Sequence, residues 1–263
     1  MLAAGERVLL IDRKDRRYLV TLQSGRSFQS HAGVIEHDDV IGRSEGEKVE
    51  ARQREGRVTN AARYLVLRPT LAEVVVGMPR GAQVIYPKDL GAILIAADIF
   101  PGARVLEAGV GSGALSMAML RAGAVINGYE IRPDFAERAK VNVAAFLGPD
   151  QPYSVQKRDV YLGIEEEHLD RVVLDLPEPW QVVAHAERAL APGGILLSYL
   201  PTINQTAELR AALERSEFAM AETFEVLRRT WHIEGRSVRP DHRMVAHTGF
   251  LTSARLLAPP ITR

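Results

Sequence analysis

An acid followed at close spacing by three glycines, Glu107-Ala108-Gly109-Val110-Gly111-Ser112-Gly113-Ala114-Leu115, comes directly after the apolar pair Val105-Leu106. This pattern reads as a buried strand passing through a glycine turn into a helix. Glycine lets the backbone approach a ligand, and a helix start leaves N–H groups unbonded, so the segment can cradle a nucleotide-type cofactor. Gly109, Gly111 and Ala114 also satisfy the spacing of a dinucleotide site. Glu130, which closes the apolar run from Ala124 to Tyr129, stands where either cofactor class uses a ribose-binding carboxylate. Glu107 separates them, because an acid two residues before the first glycine suits a cation and repels a pyrophosphate. It favours S-adenosylmethionine, which carries a sulfonium and an ammonium, over a nicotinamide or flavin cofactor. A glycine turn that serves only an α/β sheet is the remaining alternative.

A second group with chemical potential is Asp175-Leu176-Pro177-Glu178-Pro179-Trp180, at the end of the apolar run Val172-Val173-Leu174. Two prolines restrict the backbone and stiffen the turn, which suits a carboxylate that must be held in one place. The competing reading is an aspartate that caps a helix starting near Trp180.

These groups need a frame. From residue 103 the pattern alternates: strands at Arg104–Ala108, Val125–Glu130, Ser154–Lys157, Arg171–Asp175 and Ile195–Tyr199, and helices near Ala114–Arg121, Phe135–Phe146, Trp180–Ala191 and Gln205–Ser216. Alternation of this kind predicts a parallel sheet with right-handed crossovers and a ligand at the carboxyl ends of its strands. Two later β-rich runs, Phe224–His232 and Thr248–Leu257, are expected to form an antiparallel pair. Residues 1–70 read as a small β-domain with strands at Val8–Ile11, Tyr18–Leu22, Arg26–Ser30 and Arg63–Leu67, which leaves 71–263 for the catalytic domain. Between the two, Pro87-Lys88-Asp89 opens an apolar helix to about Ala97.

Composition narrows the function classes. The 263 residues are 46% apolar and 25% charged, which is ordinary for a globular protein. Absence of cysteine excludes disulfides, thiolate nucleophiles and cysteine-ligated zinc, and the seven histidines lack ligand spacing, so no metal is expected. The longest apolar candidate for a membrane span, Leu90–Phe100, is too short and contains Asp98, so no membrane association and a cytoplasmic location are expected. Residues 1–70 hold 13 Lys/Arg against 10 Asp/Glu and residues 225–263 hold 7 against 3; with zero net charge, the middle carries −7. Basic flanks, including Arg13, Arg16, Arg17, Arg236 and Arg239, could supply phosphate contacts; a solvated surface explains the same charges.

Taken in order, several separated motifs resemble the tRNA methyltransferases that modify N1 of the adenine at position 58. They are Gln83-Val84-Ile85-Tyr86-Pro87-Lys88-Asp89, the Glu107–Gly113 cradle, Tyr129-Glu130, Asp175–Trp180, Tyr199-Leu200-Pro201-Thr202, Arg239-Pro240 and His247-Thr248-Gly249-Phe250-Leu251. The resemblance covers nearly the whole chain. It implies a class I (Rossmann-like) methyltransferase fold, α/β, with a mostly parallel seven-stranded sheet, an antiparallel C-terminal strand pair and a small N-terminal β-domain. It further implies S-adenosylmethionine as methyl donor, S-adenosylhomocysteine as product, tRNA as partner and a homotetramer. By position, Ser112, Gly113, Ala114 and Leu115 match the loop around the methionine part of the cofactor, and Glu130 the acid on its ribose. Phe135 matches a side chain beside the adenosine, and Asp159 the residue that meets the cofactor adenine. Asp175 matches the catalytic acid, at the edge of the cofactor site, while Tyr86 and Tyr199 match tyrosines of the target-base pocket. Competing functions are a small-molecule or protein methyltransferase with the same cofactor site, and a non-catalytic tRNA-binding subunit.

Overall fold

The computed structural model describes residues 1–52, 62–81 and 83–258. The chain divides into two compact units, Met1–Pro79 and Arg80–Arg263.

In the first unit, β1 (Arg7–Ile11) and β2 (Arg17–Thr21) form a hairpin. The Asp12 carboxylate makes the turn by accepting from the N–H groups of Lys14 (2.8 Å) and Arg16 (3.0 Å). A second hairpin joins β3 (Ser27–Ser30) and β4 (Gly33–Glu36), while β5 (Lys48–Glu50) and β6 (Arg63–Leu67) complete a sheet in the order β2-β1-β6-β5. Val8, Leu10, Leu22, Ile35, Tyr64 and Val66 fill its core. The sequence pattern passed over α1 (Leu71–Gly77), whose signal was Thr70 followed three residues later by Glu73. The two side chains cap each other's backbone, Thr70 N–H donating to Glu73 at 2.8 Å and Glu73 N–H to Thr70 at 3.4 Å. Because Arg17 of β2 pairs with Glu73 at 2.9 Å and Gly77 packs on Leu19, this helix belongs to the first unit, which therefore extends beyond residue 70. Arg16 is likewise paired, with Asp12 at 2.6 Å, while both guanidinium side chains stay about half exposed.

The second unit opens with α2 (Pro87–Ala96), whose first residue is proline, the position where a missing N–H costs nothing. There follow β7 (Arg104–Ala108), α3 (Ala114–Arg121), β8 (Val125–Tyr129), α4 (Pro133–Leu147), β9 (Tyr153–Gln156) and β10 (Leu169–Leu174). The segment expected as a helix from Trp180 starts as a 3-10 turn, Pro179–Val182, before α5 (Val183–Ala189), because prolines keep the chain from a full α-turn there. Then come β11 (Leu190–Leu200), α6 (Ile203–Leu213), β12 (Phe218–Phe224), β13 (Trp231–Glu234), β14 (Ser237–Pro240) and β15 (Phe250–Leu256).

Seven strands form one sheet in the order β12-β15-β11-β10-β7-β8-β9. Its five strands from β11 to β9 are parallel, and β15 runs antiparallel to both β11 and β12. The chain leaves β7 toward β8 on one side and returns to β10 on the other, so the topological switch point lies between the carboxyl ends of β7 and β10. Those ends are Ala108 and Leu174, which places Gly109 and Asp175 at the switch. Leu106, Val172, Leu174, Leu196 and Leu209 are wholly buried around it. Truncating any one of the four leucines to alanine is expected to cost about 2–5 kcal/mol.

The C-terminal pairing differs from the sequence expectation. The partner of β15 is β12, and the expected run Phe224–His232 supplies only the last residue of β12 and the first two of β13. β13 pairs with β14 in a hairpin of its own. The residues Ala-Met-Ala-Glu inside β12 have high intrinsic helix propensity and hid the strand; sheet pairing overrides that preference, with Met220 at φ +55 where the register shifts. Among the described residues no helix is long and apolar enough to cross a membrane, and no group of three or more His, Asp or Glu side chains could hold a metal ion.

Candidate active site

The loop between β7 and α3 is shaped by close backbone approaches. Gly109 (φ +83) donates its N–H to the Tyr129 carbonyl at 3.0 Å, while Asp175 N–H donates to the Ala108 carbonyl at 3.0 Å. A Cβ on Gly109 would lie 2.1 Å from the Asp175 carbonyl oxygen, so only glycine fits. Gly113 (φ +82) is the N-cap of α3 and rests on Ala139 of α4, where a Cβ would come within 3.3 Å. Asn142 of α4, buried, donates its side-chain amide to the Ser112 carbonyl at 3.0 Å and fixes the loop from behind. Ala114 and Leu115 lie in the first turn of α3 with buried side chains, so their contribution at the loop is their backbone N–H groups.

Three acids converge on this loop. Glu107 is buried on β7; Ser116 Oγ donates to its Oε2 at 2.6 Å, with the Tyr153 hydroxyl 3.1 Å behind Ser116. Burial pushes the Glu107 carboxyl up to about 8, opposed by the Ser116 hydrogen bond and reinforced by the charges of Asp175 and Glu130. Among the described residues its buried Oε1 has no hydrogen-bond partner, and neither has Ser112 Oγ. Glu130 follows β8 and is anchored by two backbone donors, Gly111 N–H on Oε2 and Arg132 N–H on Oε1, both at 3.0 Å. Each of its oxygens retains acceptor capacity.

Asp175 is the third acid. The turn that carries it is tied down at three points: Asp175 N–H on Ala108, Glu178 N–H on the Tyr161 hydroxyl (3.2 Å), and the Pro177 carbonyl accepting from Gln205 (2.9 Å). The helix-cap alternative does not hold, because the residue at the start of the 3-10 turn is Glu178 and that of α5 is Val182. Burial, then the charge of Glu130, pushes the Asp175 carboxyl up to about 7. Among the described residues nothing hydrogen-bonds that carboxyl, which leaves it available to a ligand.

The other expected site residues fall around these acids. Asp159 caps a short 3-10 turn, accepting from Tyr161 N–H at 3.0 Å, beside a hollow lined by Lys157, Arg158, Leu162 and Gly163. Phe135 is packed between the Arg132 guanidinium, 3.7 Å from its ring centre, and Gly81, where a Cβ would sit 2.7 Å from the ring. Tyr86, the N-cap of α2, is exposed. Tyr199 on β11 is buried and pushed up to about 12, by burial first, with Asp89, Asp175 and Tyr86 adding to the effect. The charges of Asp89, Asp175 and Tyr86 act on Tyr199, which puts all three in its neighbourhood.

A model of the family described as tRNA methyltransferase complex GCD14 subunit matches residues 63–239, and one described as TrmI-like N-terminal matches residues 1–49. The chain belongs to the GCD14 family of tRNA methyltransferases. A curated relative of this GCD14-family chain, tRNA (adenine(58)-N(1))-methyltransferase TrmI of Thermus thermophilus, is 37% identical and covers 94% of this chain and 96% of its own. The crystal structure of tRNA (m1A58) methyltransferase TrmI from Aquifex aeolicus superposes with a TM-score of 0.83 at 29% identity, covering 98% and 99% of the two chains. A Thermotoga maritima structure described as a SAM-dependent O-methyltransferase superposes with a TM-score of 0.91 at 30% identity, covering 98% and 96%. The seven-stranded sheet is thus that of the class I methyltransferases.

The residues of this GCD14-family site fit S-adenosylmethionine on the evidence of the cradle itself. Two buried polar atoms on it lack partners among the described residues, and one belongs to an acid that a cationic donor would satisfy. Sequence reading missed the supports behind the site: Ser116 and Tyr153 behind Glu107, Asn142 behind Ser112, and a buried Lys88–Asp89 ion pair at 2.7 Å beside Tyr86. Lys88 and Asp89 stood in a recognised motif, but their types alone carried no signal for burial.

Proposed function

We propose that this chain transfers a methyl group from S-adenosylmethionine to N1 of adenine 58 in tRNA, with Arg80–Arg263 as the catalytic unit. The observation that carries the reading is a carboxyl, Asp175, without a hydrogen-bond partner among the described residues, held at the switch point beside a glycine cradle in a chain of this family. When bound, S-adenosylmethionine supplies an electrophilic methyl group on a sulfonium. The chain's own residues then divide the work. Glu130, anchored by two backbone N–H groups, offers its remaining lone pairs to the ribose hydroxyls. Glu107 and Ser112 offer their unsatisfied oxygens to the methionine end, with the N–H groups of Gly113–Leu115 beside them. Asp159 and Phe135 border the adenosine. Tyr86 and Tyr199 give the target base two aromatic surfaces once it leaves its stack.

Methylation at N1 leaves positive charge on the adenine. Ionised Asp175, accepting from the exocyclic amine, gains strength as that charge develops, which is where a preorganised group accelerates a reaction. Its upward shift means that the ionised acceptor becomes more populated as pH rises through about 7.

The same proposal includes a homotetramer and a tRNA surface. Trp231, Ile233 and Val238 are exposed on the β13–β14 hairpin and offer an apolar face to another copy, while exposed Arg236 and Arg239 beside them offer charge to phosphates. Light scattering at micromolar concentration tests the assembly. The test of the activity is incubation of purified protein with unmodified tRNA and labelled S-adenosylmethionine, followed by mapping of the modified nucleotide. Label at adenine 58 is expected; label elsewhere, or transfer only to a small-molecule hydroxyl as the Thermotoga description suggests for that protein, overturns the reading.

A further inference from the structure

The buried ion pair beside Tyr86 is built more elaborately than a structural contact requires. The side chains of Lys88 and Asp89 are 4% and 0% exposed. All three ammonium protons are used: Lys88 donates to Asp89 Oδ1 at 2.7 Å, to the Val226 carbonyl at 2.6 Å and to Thr248 Oγ1 at 2.6 Å. Thr248 in turn donates to Asp89 Oδ2 at 2.6 Å. Gly249 follows, and a Cβ there would sit 2.4 Å from the Tyr199 ring, so the ring rests directly on backbone. Thr248 is therefore the hub that ties the Lys88–Asp89 pair of α2 to the segment before β15, whose Gly249 carries the Tyr199 ring of β11, while Lys88 itself reaches the segment after β12.

Burying two charges is a poor route to stability, since an apolar pair of similar volume does as well; what a fully satisfied pair adds is a unique geometry. The geometry here concerns the two tyrosines. Tyr86 is the N-cap of the helix whose first turn carries Lys88 and Asp89, and Tyr199 packs on the backbone of Gly249, the residue after the Thr248 that bonds both members of the pair. We infer that Lys88, Asp89 and Thr248 are positioning residues that set the separation and tilt of Tyr86 and Tyr199 for the target base, an inference that rests on the tRNA methyltransferase reading above. They touch neither the cofactor cradle nor Asp175 and act through the tyrosines.

The test uses Thr248→Val, which keeps the shape and removes the hub hydroxyl, and Thr248→Ser, which restores it. Thr248→Ala carries the same expectation and is read in place of the valine variant should that fail to fold. Under single-turnover conditions the valine variant is expected to methylate tRNA about tenfold more slowly, the scale of one lost hydrogen bond, and the serine variant within about twofold of wild type. Calorimetric affinity for S-adenosylhomocysteine should stay within about twofold in all variants, since the hub lies outside the cradle. Tyrosine Cζ-labelled NMR spectra provide a readout independent of substrate: the valine variant should shift Tyr86 and Tyr199 and leave Tyr129 and Tyr153 unmoved. Wild-type rates in the valine variant, no rescue by serine, equal loss of cofactor affinity, or unshifted Tyr86 and Tyr199 resonances overturn the inference. A wild-type protein inactive on tRNA defeats the functional reading instead, and the tyrosine spectra still decide the positioning role.

Discussion

Cofactor binding should release a proton, and Glu107 should be its main source. The carboxyl is buried and pushed up to about 8, so at pH 7 it is ~90% protonated in the free protein. A unit cation about 4 Å from Oε1 contributes about 4 kcal/mol at an effective dielectric near 20, equivalent to ~3 pKa units. That is enough to ionise Glu107, releasing most of a proton per cofactor at pH 7. Other groups face this carboxyl: Ser116 and Tyr153 behind it, Glu130 and Asp175 across the cradle. Asp175, pushed up to about 7, adds at most ~0.5 proton. The sign follows, because Glu107 must lose a proton to serve the cation: affinity for S-adenosylmethionine rises with pH and levels off above about 8. Calorimetry at pH 7 in buffers of different ionisation enthalpy measures the release directly. Glu107→Gln should remove most of it and Asp175→Asn a smaller share, while S-adenosylhomocysteine, lacking the sulfonium, should release less. A buffer-independent binding heat, or a release unchanged in Glu107→Gln, refutes the reasoning.

Asp175→Asn keeps shape and some hydrogen bonding but removes the charge that opposes a cationic product; single-turnover methylation should slow by about 10²–10³ with cofactor affinity changed far less. Near wild-type chemistry in that variant would remove Asp175 from its role. Glu130→Ala should weaken cofactor binding by about 1.5–3 kcal/mol by calorimetry, the scale of charge-assisted hydrogen bonds. Gly109→Ala should destabilise the fold by about 2–5 kcal/mol in urea, since strain at positive φ adds to overpacking. Gly111→Ala should cost only ~1 kcal/mol. At Gly109 the new Cβ would meet the Asp175 carbonyl at 2.1 Å, whereas at Gly111 it would meet nothing nearer than 4.0 Å. Equal costs at the two sites would contradict the packing argument.

What the sequence determined by itself is local in origin. The bounds of β7 and α3 follow from apolar runs, the glycine turn and the helix start, all within a few residues of one another. Strand and helix alternation then prescribes the parallel sheet, and the sheet prescribes a ligand at its switch point, so Gly109, Glu130 and Asp175 could be singled out before their geometry was known. Other elements were beyond that reach. The strand β12 is written in helix formers and becomes a strand only because β15 offers it a ladder. The turn at Asp175 could be read as stiff, but that it anchors on Ala108 and leaves its carboxyl without a partner among the described residues depends on β10 lying against β7. Lys88, Asp89 and Thr248 were visible as motif residues, yet their hydrogen bonds span separations of 159 and 160 positions. Burial and charge pairing at such separations are properties of the packed molecule: no pattern in a stretch of chain encodes the distance at which another stretch will arrive.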